Sequence, residues 1–186
     1  MRGFLDGLYR FSGGLAACFI VAITALVFLQ VILNLIDRLA KLFTGTAIGL
    51  TVPSYSDFTG FFLAASAFLA LAYTLRAGEH IRINLITSRL PANIQHIFEL
   101  ITVTIGLGLA LFMTRHVGVM TYESWAFKDM SSGIVPVPLW IPQSSMVLGL
   151  LILAIAFADE LVNLTKGNPP SYQKDSSDIL QSAGGE

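Results

Sequence analysis

Charge is what this chain lacks most. Asp, Glu, Lys and Arg make up 12% of its residues, against about 25% in ordinary soluble domains. Hydrophobic residues make up 54%. So few charges cannot cover a surface that faces water, and lipid is the expected solvent. The 11 basic and 12 acidic residues nearly cancel. That argues against nucleic acid as a partner, which needs a basic patch. Cysteine is almost missing as well, Cys18 being the single one. One thiol makes neither an internal disulfide nor a Cys-based metal site. In an apolar stretch it serves as a small hydrophobe. Alternating strand patterns are missing too, and a bilayer admits only helices or closed barrels.

What is present is a set of long apolar runs. A bilayer core about 30 Å thick takes about 20 apolar helical residues. Four segments qualify, near 15–36, 58–75, 94–114 and 141–161. The expected fold is an all-α integral membrane protein with four transmembrane helices plus short amphipathic interfacial segments. Residues 1–165 form the membrane domain. Residues 166–186, with Pro169, Pro170 and a Ser/Asp/Gln/Gly run, have the composition of a disordered tail.

The first segment resembles a signal peptide in having Arg2 and Arg10 ahead of it. At about 22 residues it exceeds the roughly 7–15 of a signal h-region, and no small-residue cleavage site follows. Leu15-Ala16-Ala17-Cys18 imitates a lipoprotein box, but the apolar run follows the cysteine instead of preceding it. An uncleaved anchor is expected. Four crossings put both termini on one side. That side carries Arg2, Arg10, Arg76, Arg82, Arg89, Lys166 and Lys174, the other Arg38, Lys41, Arg115 and Lys128. The excess of basic residues places both termini in the cytoplasm.

The connections carry their own signals. Asp37–Phe43 is amphipathic and expected on the membrane surface. Gly45, Gly49 and Pro53 break any longer helix, and Ser54, Ser56 and Asp57 suit the cap of the second. In the central turn, Arg76 is placed to snorkel to the headgroups and Gly78 to close a helix. Ile81, Ile83, Leu85 and Ile86 face the interface, and Pro91 suits the start of the third helix. A loop is expected from Arg115 to Trp140. Its Pro136, Pro138 and Pro142 favour extended backbone before the fourth helix, which Pro142 starts. Trp140 sits where an aromatic belt belongs.

Candidate chemistry is sparse. Arg76, Arg115, Asp159 and Glu160 fall where a charge reaches water, and Glu99 lies a turn or two inside, in reach of Arg89 or Arg76. Charges within a membrane mark function by default, and their absence at mid-depth argues against a translocation site. Gln30 and Asn34 share a helical face at i, i+4, the pattern of amides that bond a neighbouring helix. His80, His96 and His116 are not spaced as metal or haem ligands. Gly106 and Gly108 lie on different faces and form no GxxxG seam. Neither a phosphate-binding loop nor a nucleophile elbow is present. The expectation is no enzyme, no cofactor and no metal.

Two motifs carry a resemblance. Leu-Arg-Ala-Gly-Glu-His-Ile-Arg-Ile-Asn at 75–84 and Pro-Leu-Trp-Ile-Pro-Gln at 138–143, with four helices, are similar to the small permease subunit of tripartite ATP-independent periplasmic (TRAP) transporters, the DctQ-like family. Gly78, His80, Ile81 and Arg82 match its pattern, which usually has an acidic residue where Asn84 stands. The resemblance covers roughly residues 10–165. It implies a multi-pass subunit of the bacterial inner membrane with three kinds of partner: a large TRAP permease subunit, a periplasmic solute-binding protein and membrane lipids. The large subunit would carry solute and sodium, and this chain would scaffold it. Arg76, Glu79, His80 and Arg82 would then hold the cytoplasmic register. Trp125, Lys128 and the 133–140 segment, which includes Trp140, would lie near the docked binding protein, and Pro142 would belong to the partner or lipid interface. Two rival classes predict other behaviour. A self-sufficient homo-oligomeric transporter or channel predicts solute flux from this chain alone, and a haem-bearing anchor of an oxidoreductase predicts a Soret band.

Overall fold

Polar residues mark where a chain leaves lipid, but only breakers stop a helix, and here the two do not coincide. The computed structural model describes residues 2–46, 48–77 and 92–166. They form four helices: α1 (Arg2–Thr44), α2 (Tyr55–Arg76), α3 (Ala92–Ala126) and α4 (Trp140–Thr165). All four are long and apolar enough to cross a membrane. At about 1.5 Å per residue, the 22 residues of α2 and 26 of α4 roughly match a bilayer. The 43 of α1 and 35 of α3 overrun it.

The overruns correct two expectations. Asp37–Phe43 does not lie apart on the surface but continues α1 to Thr44, because nothing before Gly45 interrupts the helical hydrogen bonds. Residues 115–126 are not loop but the last turns of α3. Gly118 alone does not stop a helix that is otherwise intact. The breakers act where they stand: Gly45 and Gly49 take φ of 75° and 78°, which glycine adopts without steric cost. The Asp37 carboxylate then accepts the backbone N–H groups of Ile48 and Gly49, both at 2.7 Å, and ties the loop back onto α1.

The helices do not close into a square bundle. The extensive contacts run α1–α2, α2–α4 and α4–α3, while α1 and α4 touch only slightly. The spatial order is therefore α1, α2, α4, α3, an open row. At the end holding the termini, Tyr9, Ala72 and Ala156 from α1, α2 and α4 form a small buried core with Leu5, Leu75 and Ile152. Small residues set the approach of each pair. Gly13 faces the Tyr73 ring, Gly106 faces the Phe157 ring, and Gly149 lies against the Phe68 backbone. Close backbone approach through small residues is how membrane helices gain packing energy when lipid is as apolar as their side chains.

Candidate functional site

Polar side chains gather at the two ends of the row. At the terminal end Arg76, the last residue of α2, bonds Asp6 of α1 at 2.9 Å and reaches Asp159 of α4 at 3.7 Å. One guanidinium thus links three helices. Of the two partners expected for Glu99, Arg76 turns to α1 and α4 and Arg89 lies outside the described residues. Glu160 does not reach water as expected: it is buried, along with Asn163. Ser12 of α1 donates its hydroxyl to the Leu69 carbonyl of α2. The neighbours of Arg76 in the sequence motif, Glu79, His80 and Arg82, lie outside the described residues, as do Gly78, the 81–90 segment, Arg89, Pro91 and the 167–186 tail.

Toward the far end, Gln30 is buried and holds a connection, not a neighbouring helix. Its amide accepts from the Val52 N–H at 2.8 Å and donates to Thr51 Oγ1 at 3.0 Å and to Asn34 Oδ1 at 3.1 Å. Ser54 stands at the N-cap of α2 in left-handed backbone and makes no side-chain cap bond. Its hydroxyl instead accepts the Val135 N–H at 2.8 Å. Gly133 meanwhile presses so closely on Asp57 that a Cβ there would overlap the carboxylate. The start of α2 therefore pins the 127–139 connection, which folds back on itself through a Met130–Pro138 bridge and bonds of Ser131 and Leu139.

That fold brings three of the four far-end candidates together. Trp125, Ala126, Lys128, Met130, Pro138 and Trp140 line an apolar groove of about 410 Å³. Pro142 does not line it and does not start α4 as expected, since the helix begins two residues earlier at Trp140. Lys128 is held at φ 56° because it closes α3. The Asp129 N–H reaches back to the Ser124 carbonyl and the Phe127 N–H to that of Glu123, the pattern in which a left-handed residue, ordinarily glycine, ends a helix. Lys128→Gly is expected to stabilise the fold by about 1 kcal/mol by removing that strain. A thermal scan would show a Tm about 2–4 °C higher. A fall would mean that the lysine side chain itself supports the groove.

Among the described residues, no three His, Cys, Asp or Glu side chains come together to hold a metal ion. His116 stacks edge-on to Phe112 with ring centroids 4.2 Å apart.

The sequence comparison decides the family. Residues 23–167 match the family described as "Tripartite ATP-independent periplasmic transporters, DctQ component". The chain belongs to this family. DctQ proteins are transporter components and not an enzyme family, and membership makes this chain the small permease subunit of a TRAP transporter. It is a multi-pass inner-membrane protein that works with a large permease and a binding protein. No curated protein matches the chain, and no solved structure matches it.

Proposed function

We propose that this DctQ subunit is a static scaffold for the large permease, and that the assembly takes up an organic acid, delivered by the periplasmic binding protein, on the energy of a sodium gradient. The observation that carries the reading is the open row. The membrane windows of α1 and α3 are each only 11% buried, so broad apolar faces remain for lipid or another membrane protein to cover. The described polar clusters sit at the ends of the row, which suits packing better than translocation. Both termini are cytoplasmic in this reading. Arg76, with Glu79, His80 and Arg82, sets the register there, and the groove at Trp125, Lys128 and Trp140 faces the binding protein.

The test is gentle-detergent purification of the tagged native chain with every co-purifying chain identified. A stoichiometric, much larger multi-spanning protein is expected. A clean homo-oligomer with no partner under crosslinking, and solute flux from this chain alone in liposomes, would overturn the scaffold reading.

A further inference from the structure

The register between helices fixes how the row sits in lipid. Gly106 of α3 lies against Phe157 of α4, and stepping along this antiparallel pair brings Arg115 level with Leu148. Its neighbour Gly149 packs on Phe68 and Leu69 of α2, and Leu69 accepts the bond from Ser12 of α1. Along the helix axes, then, Arg115 is level with Ser12. Yet the next charge on α1 in that direction is Asp37, about 38 Å further along at about 1.5 Å per residue. A hydrocarbon core about 30 Å thick set square to the helices cannot satisfy both. With its far surface at Asp37, the apolar run of α3 stands in water. With it at Arg115, the run 15–36 of α1 does.

The terminal end shows the same offset in the same sense. Asp6, Arg76 and Asp159 share one level. Ile94, Ile97, Phe98 and Ile101 of α3 lie past that level, and all are exposed. They need lipid or protein cover where α1 already carries its charges.

We propose that the row crosses the bilayer obliquely, inclined within its own plane, so that Arg115 on one edge and Arg38 and Lys41 on the other meet the phospholipid phosphates of a single leaflet. Three interhelical spacings of about 8–10 Å each against that offset give an inclination of about 55°, steeper than the usual range of transmembrane tilts. The length of α1 is compatible, since about 65 Å inclined by about 55° spans about 37 Å, more than the hydrocarbon core of about 30 Å and just under a bilayer with its headgroups. The last turns of α3, from His116 to Ala126, and the groove beyond them then stand clear of the hydrocarbon. This inference rests on helix register and not on the identity of the permease.

Two cysteines in a Cys18→Ser background test it, Val119→Cys and Ile32→Cys. Both positions are exposed on the chain's surface. The full chain is placed in phosphatidylcholine vesicles with a charged maleimide on both sides. Oblique insertion puts Val119 outside the hydrocarbon and Ile32 within it, so Val119→Cys labels faster by about tenfold or more, since the charged reagent is excluded from lipid. Upright insertion buries both positions with its far surface at Asp37, exposes both with it at Arg115 and reverses the order in between, so in no case does Val119→Cys label faster. Ile32→Cys labelling as fast or faster overturns the proposal. Spin labels at the same sites, compared for collision with oxygen and with a nickel chelate, must give the same order.

Discussion

Gly149→Ala is expected to separate α2 from α4. A Cβ at that position would come within 2.4 Å of the Phe68 carbonyl oxygen and 2.5 Å of its carbon. Those atoms are backbone, so no rotamer change relieves the overlap, and one whole helix must move. Overpacking a tight contact costs about 1–3 kcal/mol, and a rigid backbone wall argues for the upper end. The pair sits at the centre of the row, so its separation also loosens the edges. The Tm of the purified chain should fall by about 6–12 °C, and recovery with the large permease should drop in parallel. The other glycines make the controls. At Gly106 the obstacle is the tip of the Phe157 ring, which turns aside, so alanine there should cost about 1 kcal/mol or less. Gly108 has nothing within 4 Å, and alanine should be neutral or stabilising by up to about 1 kcal/mol because it favours helix. An equal loss at all three would mean that general helix or lipid effects, not the α2–α4 contact, govern stability.

That ranking of glycines is not legible in the sequence. Gly149 is one glycine in an apolar run, with no partner at a motif spacing, and only the packing shows that it faces backbone. The apolar runs themselves were legible: 58–75 and 141–161 lie just within α2 and α4. The ends of α1 and α3 were not. Asp37, Arg38 and Arg115 end the lipid-facing composition, and a reader of polarity stops there. The backbone stops only at Gly45 and at Phe127–Lys128, because helical hydrogen bonds continue in water as well as in lipid. The far-end groove was half legible. Trp125, Lys128 and Trp140 stood out as belt and loop residues, but their convergence depends on Ser54 and Gly133 pinning the connection from across the chain. Gln30 was legible as a buried amide, though its partner turned out to be the returning backbone at Val52. Arg76 was legible as an interfacial cation and its partners were not, since Asp6 lies outside any apolar run and Asp159 reads as a carboxylate in water.

Those partners make Arg76→Ala the second large loss. The substitution leaves Asp159, whose side chain is 18% exposed, beside buried Glu160 with the linking cation gone. Removing one partner of a fully buried pair costs about 3–5 kcal/mol. The guanidinium here is 27% exposed and Asp6 42%, so solvent screening reduces this to about 2 kcal/mol. The expected signature is a Tm lower by about 4–8 °C, with Asp6→Asn costing less because Asp6 is the more exposed partner. Arg76→Lys should fall between, because an ammonium offers a point charge but no fork to divide between two carboxylates. The decisive variant is Arg76→Ala with Asp159→Ala. If the penalty comes from stranded charge, removing the second charge recovers most of the loss, as apolar replacements of buried pairs usually do. If the double variant is no better than the single one, the contact at 3.7 Å carries no coupling, and the apolar packing around Tyr9, Ala72 and Ala156 joins α4 to the other two helices at this end. The outcome bears on the transporter because Arg76 is the last residue of α2 before the family-matching turn. Whatever holds its side chain to α1 and α4 also fixes the end of α2 from which the chain enters that turn.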